Sequence, residues 1–221
     1  MPRFKLVSLS GLPALALVVF GLSQPAIAAA PATNASPDRV AVLETKMALR
    51  DLWVEHVFWI RSYVMATHAH DPVQSKVAEQ EVVSNAKALA ATITPFYGQA
   101  ASDKLFDLLA GHWGAVRDYN TATLAHSKAD QEKATAKIIA NAHEIAKFLS
   151  GANPNLPEDV VFGLLSSHGG HHIAQIDEVG ARDFAGEAKT WHAMRHHMLV
   201  IADAIADAVA KQFPDRFAAK S

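Results

Sequence analysis

The chain has 221 residues, half of them hydrophobic, with 20 basic against 22 acidic side chains and a formal charge of −2. That balance excludes a disordered chain, which combines low hydrophobicity with high net charge, and a nucleic-acid binder, which carries a basic surplus. Cysteine is absent, so disulfides and thiolate metal ligands are excluded, while twelve histidines stand out against ordinary composition.

The first element is a processing segment. MPRFK is basic, residues 6–22 are largely apolar, and Ala26-Ile27-Ala28 is a small-residue cleavage site. This is the pattern of a secretory signal peptide over residues 1–28, and Ala28-Ala29-Ala30 offers an alternative cut. The apolar run is short for a membrane span. The expectation is an exported protein, periplasmic or secreted, with no stable membrane insertion after cleavage. A linker rich in Pro, Ala, Ser and Asn covers 29–37, and one domain covers 38–217.

That domain reads as helix throughout. Apolar residues recur at spacings of three and four, and no strand-like alternation is present. A first helix starts near Pro37-Asp38 and stops at Asp71-Pro72. A second ends before Pro95-Phe96-Tyr97-Gly98. A third ends near His126-Ser127, with Asp130 as the cap of the fourth. Residues Ser150 to Pro154 end the fourth, and Pro157-Glu158 opens the fifth. A last turn spans Gly180 to Gly186, and the sixth helix runs to Phe213-Pro214.

The histidines suggest a repeat. His56, His112 and His168 are separated by 56 residues each. Leu49, Leu105 and Val161 follow the same offset, as do Leu52, Leu108 and Leu164, and, on the even helices, Asn85, Asn141 and His197. The fold class expected is all-α: a six-helix bundle built from three helical hairpins with a 56-residue internal repeat, each hairpin burying its apolar face on its neighbours.

Val42, Thr45, Leu49, Leu52, His56, Trp59 and Tyr63 fall at heptad-like spacing, which puts His56 on the inward stripe. His112 and His168 sit on equivalent stripes. His56 precedes residue 71 by about as many residues as Asn85 follows it, so the two meet at one height across the hairpin, within about one 5.4 Å turn. The offset carries that relation to His112/Asn141 and His168/His197. Four histidines and two asparagines therefore belong to one inward layer.

That layer is ligand chemistry. Imidazole suits zinc and copper, and also nickel and iron. His56, His112, His168 and His197 are the candidate metal ligands, and the side-chain carbonyls of Asn85 and Asn141 are candidate acceptors for the second ring N–H of the ligands. Zn(II) or Cu(II) comes before Fe or Ni, and a soft Cu(I) site is disfavoured without cysteine. Two other readings remain open. The layer is a metal-free His/Asn hydrogen-bond network that sets packing, or it is the centre of a metalloenzyme. The i, i+4 pairs His168/His172 and His192/His196 raise a di-iron variant, for which only Glu144, Asp177 and Asp203 are candidate carboxylates. No nucleophile elbow or phosphate-binding loop is present, so the balance is against an enzyme. His68 and His70 read as helix-end residues, Trp53, Trp59 and Trp113 as core, and Gly111, Gly114, Gly169 and Gly170 as places of close backbone approach or ligand access.

Four segments resemble a family of small secreted bacterial helical proteins: LW-x-x-H-x-x-W-x-R (Leu52 to Arg61), P-x-YG (Pro95 to Gly98), NAHEIAKFLSGANP (Asn141 to Pro154) and KQFPDRF (Lys211 to Phe217). The similarity spans nearly all of the expected mature chain. It implies the helical fold and includes positions matching His56, Asn85, His112, Asn141 and His168. It supplies no reaction. Ala88 and Ala91 depart from the pattern, as do the additional His171 and His172.

Overall fold

The computed structural model describes residues 38–218, so the expected signal peptide and the whole of the expected linker lie outside the described residues. Six long helices carry the fold: α1 (Arg39–His68), α2 (Pro72–Ala91), α4 (Gln99–Leu124), α5 (Lys128–Ala152), α6 (Glu158–Gly180) and α7 (Phe184–Gln212). A single turn, α3 (Thr94–Tyr97), and a closing 3₁₀ turn (Pro214–Phe217) complete it, and no strand occurs among the described residues. None of the described helices is long and apolar enough to cross a membrane.

Each long helix packs on the next in sequence, and α7 returns to α1, so the six form a closed ring; α6 also meets α4 and α1 across the middle. Three tight turns set this arrangement, and all three are built alike. After α1, the amides of His70 and Asp71 bond the carbonyls of Thr67 and Ala66; after α4, His126 and Ser127 bond Thr123 and Ala122; after α6, Arg182 and Asp183 bond Val179 and Glu178. This paired bonding back into the last helical turn satisfies carbonyls that the helix end leaves open. It requires a left-handed residue, supplied by His70, His126 and Arg182 at φ of 57°, 53° and 60°. The residue after each one is the N-cap of the following helix: Asp71, Ser127 and Asp183. Ser127 thus takes the cap position expected for Asp130, which lies in the first turn of α5 and accepts from the Ser127 hydroxyl.

The opposite end is closed by three of the four segments that carry the family resemblance, those at Pro95 to Gly98, Asn141 to Pro154 and Lys211 to Phe217. Tyr97 donates its hydroxyl to Gln212 at 2.6 Å and accepts from Asn153 at 3.0 Å. Phe96 stacks on Phe217 and lies against Phe213. These motifs therefore do structural work, joining the chain ends to the α2–α4 and α5–α6 connections.

Between the two ends the core is largely apolar, interrupted by a few buried polar side chains. Leu49, Trp53, Val57, Ile60 and Val64 of α1 are buried, whereas Leu52, Trp59 and Tyr63 of the expected heptad stripe are only half-buried. The inward face follows the 3.6-residue helical period and not the 3.5-residue seam of a coiled coil. Trp53 and Trp113 are core residues, as expected.

Candidate metal centre

Four histidines meet in the middle of the bundle: His56 from α1, His112 from α4, and His168 and His172 from α6. Their exposures are 1%, 5%, 2% and 1%. One ring nitrogen from each lies within 4.8 Å of the others. The ring centroids are mutually close, from 4.4 Å for His168–His172 to 6.3 Å for His56–His172. The Nε2 atoms of His168 and His172 approach to 3.1 Å. Bonds of about 2.0–2.1 Å to one tetrahedral ion place ligand nitrogens about 3.3 Å apart, so this pair is already at ligand spacing.

Two members of the cluster come from one helix face, the expected ligand His168 and, in place of the expected His197, His172. His168 and His172 are i, i+4 neighbours, the spacing that stacks side chains one turn apart. The equivalent positions at the 56-residue offset hold Ile60 and Val116, which are apolar and buried. His172 departs from that pattern, and an argument from periodicity alone passes over it. Its signal was the i, i+4 spacing.

His197 lies elsewhere. It is half-buried, its Nε2 donates to the Leu164 carbonyl at 2.8 Å, and its ring stands 5.4 Å from that of His171. Asn85 and Asn141 make the same bond: their Nδ2 groups donate to Leu52 at 3.0 Å and Leu108 at 2.9 Å. In every case a side chain on α2, α5 or α7 clips the carbonyl four residues before a core histidine. A carbonyl has two lone pairs and can accept this bond beside its helical one. The clip fixes the helical turn that presents each imidazole.

Electrostatics keep the four rings neutral. Burial, and then the neighbouring His112, push the pKa of His56 down to about 3, with a smaller opposing effect from the Asn85 amide. Burial alone lowers His112 to about 4. His168 and His172 lie well below the ordinary histidine range, through burial first and the adjacent imidazoles second. Neutral imidazole is the form that binds metal.

The rings are also short of partners. Both nitrogens of His56, Nε2 of His112, and Nδ1 of His168 and His172 are buried without a hydrogen bond, as are Oδ1 of Asn85 and Asn141. Buried polar atoms are nearly always satisfied, and an exception points to an ion, a water or a functional role. The donor set fits a borderline transition metal: four nitrogens, no sulfur and no carboxylate. Of the carboxylates weighed for a di-iron centre, Asp203 is engaged with Arg50 and Asp177 with Tyr119, and Glu144 is exposed. His192 and His196 are exposed.

Close approach around the layer falls on two of the four glycines singled out. A Cβ on Gly169 would stand 2.6 Å from Ile138 Cγ2, and one on Gly111 would stand 3.2 Å from Asn141 Nδ2; Gly114 and Gly170 have open space. Gly111 thus leaves room for the amide that clips Leu108.

No known family model, curated protein or solved structure matches this chain. The functional reading therefore rests on the geometry of the site.

Proposed function

We propose that this is an exported protein that binds one transition-metal ion, Zn(II) or Cu(II) before Fe or Ni, in its core histidine cluster, and serves metal handling or stress protection outside the cytoplasm. The observation that carries the reading is the cluster itself: four neutral, buried imidazoles with five unpartnered ring nitrogens and ligand atoms within 4.8 Å. His56, His112, His168 and His172 are the ligands. Asn85 and Asn141 hold the ligand-bearing turns, and their free Oδ1 atoms are the acceptors for the remaining N–H groups of His56 and His112. His197 acts as Asn85 and Asn141 do, as a clip for α6. The basic N-terminal segment and its cleavage site support export.

The same reading makes the chain three copies of one 56-residue hairpin. Supporting it are the three identical turns and the three clips, Asn85 to Leu52, Asn141 to Leu108 and His197 to Leu164, each spanning 33 residues. The resemblance to small secreted bacterial helical proteins agrees with this architecture.

A metal-free network is the competing reading, and the unpartnered atoms count against it, because a polar network that specifies packing is satisfied within itself. The deciding experiment is elemental analysis of the mature protein purified without a histidine tag. One equivalent of metal is expected, lost when His56, His112 and His168 are replaced by Ala. Sub-stoichiometric metal that those changes do not alter would overturn the proposal. Chelation should also lower Tm, since a bound ion stabilises the fold by linkage.

A further inference from the structure

A largely apolar cavity of about 50 Å³ lies against the histidine cluster. Two tiers of residues form its wall: Leu49, Leu105 and Val161, and next to the cluster Trp53, Leu109 and Leu165. Its polar end is made by His56, His112 and His168, but His172 does not line it. The reason is position along the helices. Every one of these wall residues precedes its histidine in sequence, toward the aromatic closure at the chain ends. His172 lies one turn beyond His168, on the side of the three tight turns. There the bundle is filled by Ile60, Val64, Val116, Tyr119 and Ile176. The cluster therefore has two unlike faces, one sealed by a fourth imidazole and one opening into an apolar void.

We infer that this void is the ligand chamber of the metal centre: it admits a small uncharged diatomic molecule, of the dioxygen or nitric oxide class, to a coordination position on the three-histidine face opposite His172. The inference rests on the metal-binding reading above and is made for the site holding iron(II), one of the ions that reading admits, since zinc(II) binds neither gas. Size sets the upper bound. A single water needs about 10–15 Å³ of such volume, so the chamber holds a few atoms and no organic metabolite. Polarity sets the class. Apart from the histidines, Thr92 and the Trp53 indole its lining is hydrocarbon, and apolar cavities of this kind stay dry and take up apolar gases. An anion entering it would lose its hydration against a wall that is almost wholly apolar, where the Thr92 hydroxyl is already committed to the Leu89 carbonyl. A metal in a closed structural site has all positions filled by protein, whereas one that binds exogenous ligand keeps a position open; the void stands where that position would be.

Two measurements test this. Crystals of the metal-free protein under xenon pressure should show xenon between Leu109, Leu165 and the histidine face. Protein loaded with Fe(II) should give the half-integer-spin EPR signal of an iron nitrosyl on exposure to nitric oxide, while azide leaves the oxidised, Fe(III)-loaded form spectrally unchanged. Ala204→Phe, which builds into the chamber from a half-buried position, should slow nitrosyl formation at least tenfold with the iron content unchanged. Ala142→Val is a milder filler and should slow it less. Xenon outside the chamber, iron bound without a nitrosyl, azide binding as readily as nitric oxide, or an unaltered rate in both variants would overturn the chamber and leave the metal reading standing. Xenon in the chamber with no metal bound by the histidines would instead overturn the metal reading, and with it the coordination step.

Discussion

Two buried polar sites lie within two turns of each other on α1 and α6, and they are built on opposite terms. In one, Glu187, 2% exposed, receives both arms of the Arg61 guanidinium and the Gln175 amide, so its carboxylate is fully engaged. The Arg61 hydrogen bonds, opposed by burial, hold its pKa below the ordinary glutamate value. In the other, four imidazoles crowd together, mutually disfavour protonation and leave five nitrogens unpartnered. The Glu187 carboxylate is satisfied by its neighbours, although Gln175 Oε1 beside it has no partner; the imidazoles are held in place by neighbours, and five of their nitrogens are left open. The clips from Asn85 and Asn141 show the division: the amide nitrogens anchor backbone, and the carbonyl oxygens remain free.

The sharpest way to break this contrast is to exchange the consequences of mutation. His112→Ala should lower metal affinity by more than about 100-fold, since changes that touch only the partners of ligands already cost about 10- to 100-fold. Glu187→Gln should leave affinity and stoichiometry intact. Competition with a chromophoric chelator measures both, and equal losses in the two variants would erase the distinction.

Acid should separate the sites next. The histidines are depressed in the fold but bind protons near pH 6.5 once unfolded, so the unfolded state takes up more protons below that value. Stability of the metal-free protein is therefore full above about pH 6.5 and falls as pH drops, until about pH 4 for His112 and about pH 3 for His56. Between pH 6.5 and 5 each neutral histidine should account for about 2 kcal/mol. The Glu187 pair has the opposite origin: its carboxylate is depressed, so its contribution persists down to the ordinary glutamate range and is lost only below it. Denaturant titrations at a series of pH values should show the histidine loss first, and a flat profile from pH 7 to 5 would contradict the neutral cluster.

Arg61→Ala should cost about 2–3 kcal/mol, less than the 3–5 typical of a buried pair because water reaches the arginine. Its metal content should not change. The smallest effect belongs to His126→Gly, which removes a histidine remote from the cluster and relieves a left-handed backbone. Stability should rise by up to about 1 kcal/mol with metal content unaltered; a loss of metal would place His126 in the binding function.

Much of this was legible in order along the chain. The six helices follow from apolar spacing and from Pro, Asp and Gly at the breaks, because those are local signals that need no partner. His56, His112 and His168 stood out because a polar residue on an inward stripe is visible without coordinates. The fourth member was less accessible. His197 occupies the equivalent of Asn85 and Asn141, and the offset assigned it to the layer. In the fold it reaches the Leu164 carbonyl, because residues at one height along a bundle can still point to different neighbours. His172 enters the cluster only because α6 crosses the middle and turns two successive inward positions toward α1 and α4.

The amino-acid sequence by itself thus determined the helical class, the placement of the turns and a histidine level in the bundle, since these depend on periodicity and on side chains acting within one element. Tertiary structure decided which four imidazoles share a point, which nitrogens go without partners, and on which side of them a void remains. Those are properties of several helices packed at once, set by helix rotation and by the volumes that meet at the axis, and no single segment encodes them.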